Sequence, residues 1–341
     1  MKKTFFILFI LSVHCLVFSS GVVSEIPLYI DLDRGESIPT NATFWAKRFP
    51  VSSKLYDINK VSFMESSFKK TLLDFFDSLK NQDEKALTSL GSKDSEASVK
   101  WLMKKFSLPN INFDSIFILD VFCFGKTFKV FYEMEDPRKL GRRLVSCFTF
   151  ERNGLYDYCR IVKVDDPIDA LFSYSLIRYY NSEKYKKDGF NNICQSIGDE
   201  PFIVFKDFDL EKLNFCMTEK DVLAFYKSFV SLRSVGDMKI IPDFYSEHSR
   251  KKIKDLIDAN MYDAGEKYAF RRRENNTMIL GVIPISPLFV VVEKINPRGE
   301  EIYLKYTFII KDKNGNMQIT NVFFESFIDD LLKKHGITPH L

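Results

Sequence analysis

Histidine is scarce in this chain, with four in 341 residues. None of them falls within 116–164 or 277–324, the two long stretches rich in β-branched and aromatic residues. Acid–base chemistry near neutral pH draws first on histidine, so its absence there weighs against a catalytic centre built on a sheet. Also missing are a Gly-rich phosphate loop, a Gly-x-Ser-x-Gly elbow, a His-Glu-x-x-His helix and a Cys-x-x-Cys pair. With them go the simplest routes to phosphate-loop, α/β-hydrolase, zinc-protease and dithiol chemistry. No catalytic residue is assigned from the sequence.

Excess charge is lacking as well. The formal net charge is +3, and it falls to +1 when residues 1–24, with Lys2 and Lys3, are removed. Nucleic-acid binding needs a concentrated basic footprint, and none is expected here. The six cysteines lack paired zinc-ligand spacing, so neither a metal nor another cofactor is expected. Beyond the N-terminus, the longest apolar stretch runs over 281–292 and is interrupted by Pro284 and Pro287, too short to span a bilayer.

The N-terminus has the form of a secretory signal. Lys2 and Lys3 precede an apolar run from Phe5 to Val13, and small residues follow. Cleavage fits after Gly21 or after Ser24. The expected product is an exported protein, periplasmic or secreted. It would carry five cysteines, an odd number that leaves at least one outside any intrachain bridge.

What the chain has in abundance is phenylalanine, 34 residues within an aromatic content of 15%. It also repeats itself. Asp136-Pro137-Arg138 is echoed by Asn296-Pro297-Arg298, Asn153-Gly154 by Asn314-Gly315, and Ile168-Asp169-Ala170-Leu171 by Ile328-Asp329-Asp330-Leu331. The prolines lie 160 positions apart, the Asn-Gly turns 161 and the Ile-Asp pairs 160, which implies a duplicated unit of about 160 residues.

Within the first copy, Phe68, Leu72, Phe75, Phe76 and Leu79 fall on one face at helical spacing, predicting a helix over 64–79. Shorter helices follow over 84–90 and 96–106. Strands over 116–124 and 128–134 form a hairpin about Gly125-Lys126. Strands over 144–151 and 155–164 close a second one about Asn153-Gly154. Pro167 opens a helix to Tyr180. The second copy offers helices over 219–232 and 246–262, then strands over 277–283, 288–294, 301–311 and 317–324, then a last helix over 327–334. Residues 1–24 thus read as signal, 25–60 as an extended lead-in anchored by Trp45, and 61–180 as the first unit. Residues 181–214 read as a polar connector and 215–341 as the second unit. Helices set apart in sequence from an antiparallel meander make the fold class α+β, each sheet covered by helices on one face.

This element order, with a closing strand such as Leu155-Tyr156-Asp157-Tyr158-Cys159-Arg160-Ile161-Val162 after an Asn-Gly turn, resembles the nuclear-transport-factor-like (SnoaL-like, cystatin-like α+β) superfamily, here in tandem. The resemblance implies a curved sheet around a pocket in each copy. It chooses no activity, because isomerases, dehydratases, carriers and structural modules share that fold.

A three-residue loop over 152–154 would pair Glu151 with Leu155 and Cys147 with Cys159. Phe148 would then face Tyr158, and Phe150 would face Tyr156. Arg160 would join this aromatic face as a ligand anchor or as a salt-bridged edge residue. The cysteine pair would form a disulfide or two small buried thiols. Candidate ligand-binding residues are therefore Arg160, Tyr158, Tyr156, Phe148 and Phe150. His248 follows Glu247 directly, and sequence neighbours on a helix do not face each other, so the two make no dyad. The expected function is non-enzymatic binding of a small apolar ligand or a protein partner. Two alternatives stand beside it: a lyase or isomerase using a pocket carboxylate or tyrosine, and a structural or toxin-neutralising interaction module.

Overall fold

The computed structural model describes residues 21–32, 37–62, 64, 66–91, 99–100, 103–104, 106–107, 111–124, 127–139, 141–152, 159–161, 167–195, 197, 202–205, 219–235, 239–259, 277–295, 303–320, 322, 328 and 332. The chain is α+β and forms two compact units. One comprises residues up to 26 together with 44–202, the other 27–43 together with 203–341.

Residues 25–60, expected as an extended lead-in, are built into the sheet. They contribute two long strands, β1 (Val22–Asp31) and β2 (Ser37–Lys54), followed by a 3-10 turn over Leu55–Lys60. Both strands are divided between the units, 22–26 and 44–54 in the first and 27–31 and 37–43 in the second. Trp45 does pack, its ring 5.4 Å from that of Phe202.

Two helices follow in the first unit, α1 (Ser66–Lys80) and α2 (Glu84–Leu90). The apolar stripe of α1 is buried as its spacing predicts: Phe68, Leu72, Phe75, Phe76 and Leu79 all lie within the core. Asp83 caps α2, its carboxylate accepting from the Ala86 amide at 2.9 Å. Strands β3 (Phe117–Phe124), β4 (Thr127–Glu135), β5 (Arg143–Arg152) and β6 (Cys159–Ile161) then form a meander. Helix α3 (Pro167–Tyr180) comes next.

Within the stretch expected to be a polar connector, residues 181–195 and 202–205 are described and carry secondary structure. Ser182 caps a short helix, α4 (Glu183–Asp188), by accepting from the Tyr185 amide at 3.1 Å. Gly189, at φ +65°, ends it where a side chain would be strained. Strand β7 (Asn191–Ile193) then pairs with β1, and β8 (Phe202–Phe205) pairs with β2. The sheet order is β6-β5-β4-β3-β2-β1-β7.

In this unit both faces of the sheet are covered, not one. Phe128, Val130, Tyr132 and Met134 of β4 face the α1 core, with Phe148 and Phe150 of β5 beside them. Phe148 stacks on Tyr132 at 4.8 Å and meets Phe75 edge-on at 4.5 Å. Such ring pairs add about 0.5–1.5 kcal/mol each beyond area burial. On the opposite face Phe122, Phe124 and Phe131 surround Phe172 of α3. With rings needed on two faces, strict alternation of apolar and polar residues disappears, and five consecutive residues of β4 are buried.

The second unit contains helices α5 (Lys220–Val235) and α6 (Glu247–Asp258) and a meander of β9 (Thr277–Ile285), β10 (Leu288–Ile295), β11 (Tyr303–Lys311) and β12 (Met317–Thr320). Its sheet order is β12-β11-β10-β9. Val222, Tyr226 and Phe229 of α5 pack against Val282, Val291 and Ile309. The buried Glu293 carboxylate accepts from the Tyr226 hydroxyl at 2.7 Å.

Two of the strand ladders correspond at an offset of 160. Raising each index of the β4–β5 register by 160 gives that of β10–β11: Phe128↔Phe150 becomes Leu288↔Ile310, and Glu135↔Arg143 becomes Ile295↔Tyr303. The closing hairpins part company. Phe150 faces Ile161, whereas Ile310 faces Gln318, three positions short of the repeat. The helices expected over 96–106 and 327–334 lie mostly outside the described residues.

Candidate functional site

Of the candidate ligand-binding residues on the β5–β6 hairpin, the structure describes Phe148, Phe150 and the backbone of Arg160. Phe148 and Phe150 are core residues, packed against Phe68, Phe75 and Phe76 of α1. The register pairs Arg160 with Glu151 and Cys159 with Arg152. The pairing is therefore offset by five positions from a three-residue loop. An odd offset exchanges the register slots, so Ile161, not Tyr156, stands opposite Phe150, and Arg160 no longer shares the register slots of Phe148 and Phe150. Cys147 carries a thiol and is not bridged to Cys159. Tyr156 and Tyr158 lie outside the described residues, as does the His248 side chain.

Two other places in the first unit collect the chemistry. The first is a cavity of about 250 Å³ at the β4–β5 turn. Register sets Met134 opposite Leu144 as these strands approach the turn. The chain then reverses through the Asp136-Pro137-Arg138 landmark. The Asp136 carboxylate accepts from the Arg138 amide at 2.9 Å, an Asx-type turn, and Pro137 fixes the backbone between them. The Asp136 amide donates to the Arg142 carbonyl at 2.8 Å and closes the loop. Gly141 takes φ +76°, the left-handed conformation that the closure requires.

Phe106, Ile111, Met134 and Leu144 form the cavity's apolar wall, completed by Pro137. Asp136, Arg138 and Arg142 bring the charge. The Arg142 Nε lies 3.9 Å from Asp136 Oδ2, a loose pair. Among the described residues no carboxylate pairs with the Arg138 guanidinium, and Arg138 is exposed. The cavity is thus an apolar recess with two guanidinium groups and one carboxylate along its lining.

The second is a buried polar cluster on the sheet face that meets α3. Arg48 of β2 donates from Nη1 to Asp120 Oδ1 at 3.0 Å and from Nε to Ser24 Oγ at 2.9 Å. Its guanidinium lies 4.2 Å from the centre of the Phe190 ring. The Tyr180 hydroxyl, at the end of α3, donates to Asp120 Oδ2 at 2.5 Å. Burial pushes Asp120 up to about 6, because it outweighs the Arg48 charge and the two hydrogen bonds that favour the carboxylate. Burial, and then the neighbouring Asp120 charge, carry the Tyr180 hydroxyl well above its ordinary value.

A raised carboxylate beside a tyrosine has the composition of an acid–base site. Its setting is different. Each Asp120 oxygen already accepts a hydrogen bond, both residues are buried, and neither lines the cavity. The cluster therefore reads as a polar tie between β2, β3 and α3. No group of three or more His, Cys, Asp and Glu among the described residues is placed to hold a metal. No helix among them is long and apolar enough to cross a membrane.

Sequence reasoning missed both places. Asp136-Pro137-Arg138 stood out as a landmark of the repeat, yet nothing local reveals that Phe106 and Ile111 complete a recess there. Asp120 is a charge inside an apolar strand, which signals a buried partner, but Arg48 and Tyr180 are 72 and 60 residues away. No protein family, curated protein or solved structure matches the chain.

Proposed function

We propose that this is an exported, non-enzymatic binding protein that takes a small apolar ligand into the cavity at the β4–β5 turn. The cavity carries the proposal: a walled apolar recess next to a rigid, internally hydrogen-bonded loop is the form expected of a small-ligand site. An engineered cavity of about 150 Å³ holds benzene. By that scale about 250 Å³ accepts roughly ten heavy atoms. The buried cluster supports no competing catalytic reading, since its hydrogen bonds are made within the protein. The tandem nuclear-transport-factor-like resemblance is not what the proposal rests on.

Export rests on the Lys2-Lys3 start and the apolar run after it. Of the two cleavage points, the one after Gly21 fits the fold better. Ser24 is buried, pairs with Asn192 in the β1–β7 ladder and accepts from Arg48.

Titration with 1-octanol, followed through the Met134 methyl resonance, tests the binding site. Saturable shifts are expected, and Leu144→Trp, which fills the recess from its half-buried wall, should remove them. Absence of shifts in the wild type, or equal binding by the variant, would overturn the proposal.

A further inference from the structure

The charge along the cavity names the ligand class. We infer, building on the binding proposal above, that the ligand is a monocarboxylate with an unbranched or aryl apolar body. Its carboxylate would be held by Arg138, with Arg142 in support.

An apolar recess alone would select by size and shape only. Here the lining residues carry two guanidinium groups against one carboxylate, a local excess of one positive charge. Asp136 is already engaged on both sides, accepting from the Arg138 amide and lying 3.9 Å from Arg142 Nε. Arg138 keeps its guanidinium for something else: among the described residues it has no carboxylate partner. Its backbone is fixed by the Asx turn and by Pro137, so the anchor starts from a defined position. A guanidinium presents parallel N–H donors that match a carboxylate in a two-point contact, which ammonium groups do not offer. The recess accommodates an eight-carbon chain on the volume scale used above. A cationic amphiphile would meet Arg138 as a like charge and be rejected.

The probes are octanoate, 1-octanol and octylammonium, titrated into the intact protein by calorimetry at low salt. Octanoate is expected to bind at least tenfold more tightly than octanol, in line with a charge-assisted hydrogen-bonded contact, and octylammonium should not bind measurably. Raising the salt should narrow the gap between octanoate and octanol. Arg138→Gln should bring the ratio of octanoate to octanol affinity close to one, with the melting temperature unchanged because the side chain is exposed. Octanol binding as tightly as octanoate, or Arg138→Gln leaving their ratio intact, overturns the carboxylate assignment while the binding proposal stands. Failure of both octanol and octanoate to bind removes both.

Discussion

Replacing Arg48 with methionine tests the account of the buried cluster, and its effect should depend on pH in a direction that can be worked out beforehand. Methionine keeps the apolar stem near Phe190 but removes the cation from Asp120 and the donor from Ser24. Breaking a buried ion pair from one side costs about 3–5 kcal/mol while the orphaned charge persists. In the wild type, Asp120 titrates at about 6 when folded and near its ordinary value of 3.8 when unfolded. The native state therefore holds the extra proton between those values. Stability from this group is complete below about pH 4, declines as pH rises toward 6 and is flat above it. A difference of two pH units corresponds to about 3 kcal/mol. Without Arg48 the native carboxylate titrates higher still, so the decline continues past pH 6. Urea denaturation at pH 5 and pH 8 should show the larger loss at pH 8. Adding Asp120→Asn to Arg48→Met should make the loss the same at both values. An equal loss at pH 5 and pH 8 in the single variant would refute the reasoning, because the orphaned carboxylate would then not be the source of the cost.

Gly141→Ala isolates the backbone demand of the cavity loop. No atom lies within 4 Å of the added methyl, so the expected loss of about 1–2 kcal/mol is the price of a left-handed conformation, read from the shift in melting temperature. An unchanged melting temperature would mean that the loop closes without that conformation. N-terminal sequencing of the exported protein should give Val22 as the first residue. A chain starting at Glu25 would have lost Ser24 from beneath Arg48 and would contradict the cleavage proposed here.

Much of the fold is legible because it is local. Helix α1 is announced by five apolar residues at helical spacing, α3 by Pro167 at its first position, and the strand pairs of both meanders by runs of β-branched and aromatic residues between turns. The landmarks 160 or 161 positions apart accompany two strand pairs, β4–β5 and β10–β11, that share one register. Where a loop decides the pairing, the residues alone mislead. Moving the β5–β6 register by five positions takes Arg160 from opposite Ser146 to opposite Glu151, and no neighbouring residue warns of it.

The sequence by itself determined most of the helices, the strands of the two meanders and the α+β class, since each follows from spacings within a few residues. Tertiary structure alone decided that the first sheet is buried on both faces, that β1, β2 and β7 extend it, and that a polar tract folds as α4. It also decided that Phe106, Ile111, Met134 and Leu144 share one recess with Arg138. Those outcomes depend on contacts between segments far apart along the chain, and the free energy of such contacts is set by which surfaces meet, a quantity no single stretch of residues contains.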